Sequence, residues 1–190
     1  MEPMTVYAGR PVNSEGRQLR ETAVYDFLDA HGIAFERVDH APAFTMEDCR
    51  AIERALGIMI CKNLFLCNRQ ETKFYLLMMP GEKVFKTKEL SSQIGSARLS
   101  FGKPEKMEQF LNTLPGSASV MGLMNDREHC VTLLMDEDVV REPFVGCHPC
   151  INTSSIKIKT EDLLRTFLPA TGHEPHFVHL VGEEKETDAP

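Results

Sequence analysis

Ile58-Met59-Ile60-Cys61-Lys62-Asn63-Leu64-Phe65-Leu66-Cys67-Asn68, followed after the polar turn Asn68 to Thr72 by Phe74-Tyr75-Leu76-Leu77-Met78-Met79, is the stretch on which the fold turns. In the first segment a period of two puts Ile60, Lys62, Leu64 and Leu66 on one face of a strand, with Met59, Cys61, Asn63 and Phe65 on the other. The second segment is almost wholly apolar, the pattern of a central strand covered on both faces. Together they predict a hairpin. Lys62 is the anomaly in it, because an unpaired buried charge costs several kcal/mol or forces deprotonation. Its ammonium must snorkel to an edge or face a polar cavity, and periodicity leaves both options open.

Upstream, Met1 to Gly16 carries Gly, Pro, Asn and Ser without a period and reads as an extended or disordered arm. Arg17 begins a helical pattern through Leu19, Val24, Phe27 and Leu28, with Gly32 set to end it, and Ile33 to Val38 alternates as a strand. Thr45 starts a second helix, Asp48 taking the capping-box acid position, and Gly57 stops it. Downstream of Pro80-Gly81 the pattern predicts a short strand at Val84-Phe85, a helix over Thr87 to Ile94, a strand at Arg98 to Phe101 and a helix opened by Pro104. Strands follow at Cys130 to Met135 and Ile151 to Lys159, then a helix capped by Thr160 over Glu161 to Leu168, and a last strand at Phe177 to Val181. Strands interleaved with helices and at least one hairpin argue for α+β architecture with a mixed sheet. The expected organisation is an arm (1–16), one domain (17–182) and a charged tail (183–190).

With 190 residues, 42% hydrophobic and 26% charged, the chain has the composition of one globular domain with a substantial core. No run approaches the roughly 18 apolar residues of a membrane span, and the N-terminus lacks a signal-peptide core, so a cytoplasmic protein that does not bind membranes is expected. Its six cysteines then read as reduced thiols, Cys49, Cys61, Cys67 and Cys130 being small buried apolar residues. A net charge of −7 opposes a broad electrostatic grip on nucleic acid. The charge is uneven, however: Lys83, Lys86, Lys88, Arg98, Lys103 and Lys106 face only Glu82, Glu89 and Glu105, which allows a local basic face.

The window richest in chemistry is Gly146-Cys147-His148-Pro149-Cys150-Ile151-Asn152-Thr153-Ser154-Ser155. Cys147 and Cys150 form a CxxC, but a strand pattern follows where a redox dithiol needs an activating helix. A zinc site needs a second ligand pair, and Cys61 and Cys67 lie at opposite ends of one strand. Neither metal nor cofactor is expected. His148 is better suited to ligand contact, because Pro149 biases it toward an extended backbone. His31, His40, His129, His173, His176 and His179 read as structural. The small-residue run Pro115 to Gly122 could approach a ligand closely or simply connect two elements.

Cys61-Lys62-Asn63-Leu64-Phe65-Leu66, then Gly116 to Asp126, then His148-Pro149 with Asn152-Thr153, and finally Gly172-His173, resemble in order and spacing the YbaK/ProX-type prolyl-tRNA editing proteins. These are free-standing relatives of the editing insertion domain of prolyl-tRNA synthetase, and the resemblance runs from about Arg17 to Leu180. It implies a single α+β domain with a mixed, partly barrel-like central β-sheet surrounded by helices, and a trans-acting deacylase of mischarged proline tRNA. The family's essential lysine falls on Lys62 and its pocket histidine on His148. Its substrate contacts fall on Asn63, the loop Gly116, Ser117, Ala118, Ser119, Val120, Met121 and Gly122, and on Gly146, Asn152 and Thr153. The His-Pro motif points to the alanine-removing branch rather than the cysteine-removing one. Val120 stands where relatives often carry proline, a departure that bears on loop rigidity and pocket shape. The implied partners are the acceptor end of aminoacyl-tRNA and prolyl-tRNA synthetase. Ester hydrolysis needs a positioned water and an oxyanion partner, which a cationic lysine and the backbone N–H groups of a glycine loop provide. A non-catalytic aminoacyl-tRNA sensor and a CxxC thiol-redox protein are the competing readings.

Overall fold

The structure, a computed structural model, describes residues 4–43 and 46–182. The predicted helix start at Thr45 and the charged tail 183–190 lie outside the described residues. Among the described residues nine strands form two sheets. The first is antiparallel, in the order β1 (Val6–Ala8), β2 (Phe35–Asp39), β8 (Ser154–Lys159), β7 (Phe144–Cys147). The second is mixed, in the order β5 (Ser100–Phe101), β3 (Cys61–Cys67), β4 (Phe74–Pro80), β6 (Val131–Asp136), β9 (His176–Val178). Here β3 and β4 are the predicted hairpin, with Lys62 opposite Met79, while β6 and β9 add in parallel.

Among the described residues one parallel bridge, Ile60 to Gly146, joins the backbones of the two sheets. That contact gives the central β structure its partly barrel-like closure, and it exists because position 146 has no side chain. A Cβ there would lie 2.6 Å from the Cδ1 atoms of both Ile58 and Ile60. Three apolar clusters hold the layers. Phe74, Leu76 and Met78 of β4 face a main core shared with Phe65 of β3, Val145 of β7, Ile156 and Ile158 of β8, and the helix α1 (Leu19–Ala30). Tyr75, Leu77 and Met79 face a second core under the helix α3 (Thr87–Gln93), which contributes Leu90. The helix α2 (Met46–Leu56) covers the first sheet with Ile52 and Leu56 against Val38. Six consecutive residues of β4, Phe74 to Met79, are buried, as a strand covered on both faces requires.

The remaining elements are α4 (Pro104–Leu111), with Pro104 in its first turn, a 3-10 helix over Val120–Asn125, and a C-terminal helix. The last runs from α5 (Thr160–Asp162) through a π-helical segment (Leu163–Phe167) into α6 (Leu168–Thr171). Several local expectations are corrected. Val84 and Phe85 form no strand, because the chain there turns after β4 to reach α3. Part of the N-terminal arm pairs as β1 with β2. Thr160 is the first helical residue rather than the cap, its hydroxyl donating to the Glu142 carbonyl. The strand β7 carries no sequence period because Gly146 interrupts it. Among the described residues no helix is long and apolar enough to cross a membrane.

Candidate active site

Lys62 leaves β3 on the side of Leu64 and Leu66, and its half-buried ammonium donates to the Lys83 carbonyl at 2.9 Å. A backbone oxygen thus answers the choice between snorkelling and a cavity. Lys83 is itself fixed by ion pairs of 2.8 Å to Asp136 and 2.7 Å to Asp138. Burial pulls its ammonium pKa down, but the two carboxylates outweigh burial and hold it raised. Beside it opens a cleft of about 530 Å³ lined in part by Cys61, Lys83 and Phe144. Among the described cavities none is lined by both Lys62 and His148, and among the described residues no hydrogen bond joins them. Their relation comes through the backbone. Each lies two residues beyond the Ile60–Gly146 bridge, on chains that run in the same direction.

The His148 imidazole is fixed at one of its ring nitrogens. Nδ1 lies 2.9 Å from the Ser154 carbonyl, which can only accept, so Nδ1 carries the proton and Nε2 the lone pair. Burial lowers its pKa below the usual histidine value, more strongly than the Ser154 carbonyl raises it. Ser119 Oγ donates to the His148 carbonyl and accepts from Met121 N, which ties the glycine loop to the histidine loop. Gly116 has φ +87, a conformation that favours glycine, and its missing Cβ would point at Asn152 Nδ2 from 3.8 Å. The structure therefore brings Gly116, Ser119, His148 and Asn152 together.

Other predicted contact residues lie less openly. Ser117 Oγ closes a turn with the N–H and carbonyl of Leu114, and Ala118 packs on the main core. Val120 and Met121 are fully buried, so their side chains are core, and a Cβ on Gly122 would strike the Leu111 carbonyl at 2.8 Å. Asn152 and Thr153 offer their carbonyls to Ala43 N and His40 N. Asn63 donates to the Cys61 carbonyl, leaving its Oδ1 buried without a partner.

Sequence reasoning missed His40. Its ring centroid lies 6.1 Å from that of His148, and both contact Ser155 Oγ, at 3.0 Å from His40 Nε2 and 3.4 Å from His148 Nδ1. Only the pairing of β2 with β8, Asp39 opposite Ser154, carries His40 there, and no local motif announces it. The CxxC residues are packing: Cys147 and Cys150 are buried, and burial pushes the Cys150 thiol up to about 12 and the Cys147 thiol higher still. Among the described residues no group of three or more His, Cys, Asp or Glu is disposed to hold a metal.

Comparison with known proteins bears on this arrangement. A family model of the aminoacyl-tRNA editing domain matches residues 40–166. The prolyl-tRNA editing protein ProX of Acetoanaerobium sticklandii is 30% identical over 141 residues, covering 74% of this chain and 86% of that protein. The prolyl-tRNA synthetase associated domain-containing protein 1 of Danio rerio is 27% identical over 152 residues, covering 79% and 82%. Among solved structures, a candidate trans-editing enzyme for prolyl tRNA synthetase superposes with a TM-score of 0.66 over 88% of this chain and 99% of that one. At 16% identity that likeness establishes the fold alone.

Proposed function

Because the chain belongs to the aminoacyl-tRNA editing domain family, we propose that it is a trans-acting deacylase of mischarged proline tRNA, with alanyl-tRNA as its first substrate. The observation that carries this reading is the pinned imidazole of His148, locked by Ser119 to the glycine loop and presenting an unprotonated Nε2. Nε2 accepts a proton from the attacking water or holds it in line with the ester carbonyl. Lys62 spends one of its three N–H donors on the Lys83 carbonyl, which leaves two for the oxyanion or the terminal phosphate. Backbone N–H groups around Gly116 to Ser119 supply the remaining oxyanion partners. Asn63, Gly146, Asn152 and Thr153 shape the pocket, and a small pocket hydrolyses alanine while shutting out the larger proline. The acceptor end of tRNA is the partner, and prolyl-tRNA synthetase is the enzyme whose errors are cleared.

The test is loss of ester from alanyl-, cysteinyl- and prolyl-tRNA for proline. Alanyl-tRNA should be hydrolysed fastest and prolyl-tRNA spared. Lys62→Ala should lower the rate about 100- to 1000-fold, the usual cost of one oxyanion donor. Hydrolysis of neither mischarged substrate, or full activity in Lys62→Ala, would sink the proposal.

A further inference from the structure

A second, separate pocket lies on α3. Thr87, Lys88, Ser91 and Arg98 line a cavity of about 440 Å³. Ser91 is only 8% exposed, and its Oγ is one of three buried side-chain polar atoms without a hydrogen-bond partner among the described residues. A buried hydroxyl left unmade costs free energy, so its presence calls for an occupant that accepts or donates there. Lys88 and Arg98 are both exposed, and no described carboxylate pairs with either. Most arginines of the chain are neutralised, as in the pairs Arg10–Asp26, Arg17–Asp39 and Arg141–Asp138. Glu89, on the same helix, is engaged with the backbone N–H groups of Val181 and Gly182. Two free cations and two hydroxyls around one cavity match the charge and the acceptor oxygens of a phosphate group.

The location points to the source of that phosphate. Leu90 of α3 packs with Leu64 and Leu66, on the face of β3 from which Lys62 also leaves. Arg98 precedes the strand that pairs Phe101 with Leu66 and Ser100 with Cys67, so the antiparallel register carries it past Leu66, about seven residues and about 23 Å along β3 from Lys62. That span is roughly seven phosphate repeats of a helical nucleic-acid strand. We propose that this pocket grips a backbone phosphodiester of the tRNA whose ester end lies at Lys62. The inference rests on the editing reading, and it explains how a chain of net charge −7 holds a polyanion: through one local site rather than a basic surface.

The experiment is binding of uncharged proline tRNA to the full chain by fluorescence anisotropy across a salt series, run beside the deacylation assay. Replacing Lys88→Ala and Arg98→Ala together should weaken binding about tenfold or more. It should also lower the slope of log K against log salt by about one, since the single phosphate neutralised contributes about 0.7 to 0.9. Ser91→Ala should weaken binding several-fold without lowering the melting temperature, a combination that a purely structural hydroxyl would not give. Arg165→Ala, an exposed cation on the C-terminal helix, is the control and should keep the slope. Wild-type affinity and slope in the double variant would overturn the pocket, and continued hydrolysis of alanyl-tRNA would then leave the editing reading standing. Loss of affinity and slope in a protein that hydrolyses none of the aminoacyl-tRNAs would do the reverse.

Discussion

Asp39→Asn keeps the shape of a side chain at the end of β2 and removes its charge. The Asp39 carboxylate receives the Arg17 guanidinium as a fork, at 3.1 Å and 2.6 Å, and a further bond from Arg37, which is only 3% exposed. Burial pushes the Asp39 pKa up, but the hydrogen bonds from Arg17 and Arg37 more than offset it, and the pKa falls from 3.8 to about 2. At 1.36 kcal/mol per pH unit that drop corresponds to roughly 2.4 kcal/mol of stability. The side chain is 34% exposed, and solvent screening brings the expected figure to about 1–2 kcal/mol. Because the folded-state pKa is the lower one, this stability is present above the unfolded value and is lost as pH falls through about 2. Urea denaturation of both proteins at pH 7 and pH 3 reads it. The wild type should be more stable by about 1–2 kcal/mol at pH 7, with about half of that gap left at pH 3. A gap that is absent at pH 7, or undiminished at pH 3, would refute the reasoning. Asp39 also pairs with Ser154 and precedes His40, so the same variant should slow deacylation by loosening the frame around His148.

Other outcomes follow from single contacts. Asp126 is 3% exposed and accepts from Cys130 N, Val131 N and His173 Nε2, so Asp126→Ala should cost about 2–5 kcal/mol in urea denaturation by orphaning those donors. Gly146→Ala should cost about 1–3 kcal/mol, because the new methyl meets Ile58 and Ile60 at 2.6 Å. Cys147 and Cys150, buried with thiol pKa values pushed up to about 12 or beyond, should resist a thiol reagent until the protein is unfolded in urea. His148 is held neutral below the usual histidine pKa, so the deacylation rate should stay flat as pH is lowered through 6.5 and fall only beneath it.

What the sequence announced was local. The hairpin of β3 and β4 was legible because both strands keep period two and β4 is apolar on both faces. Lys62 stood out as a charge in that pattern, and His148 as a histidine before proline in a loop. What stayed hidden depends on pairing at long range. β7 is four residues with a glycine inside it, and its register with β8 is a property of the fold. The division into two sheets follows from the packing of Val145 and Ile156 against β4, which no window of sequence contains. His40 was set aside as structural for the same reason, since Ser155 lies beyond any local spacing. The burial of Val120 and Met121 was equally invisible, because a loop of small residues reads the same whether its side chains line a pocket or fill a core.

The precision of the candidate site is therefore a matter of register. Lys62 faces its side because β3 pairs with β4 in one alignment, Lys62 opposite Met79, and a slip of one residue would turn it into the main core. His148 follows β7, whose alignment with β8 sets Gly146 opposite Lys157. Among the described residues the Ile60–Gly146 bridge is the backbone pairing that couples these two alignments. Glycine is required there because Ile58 and Ile60 already fill the space a side chain would need. A residue with no functional group thus fixes the spacing between the two side chains proposed to carry the chemistry. A substitution at Gly146 should accordingly disturb catalysis through geometry even where Lys62 and His148 keep their own hydrogen bonds.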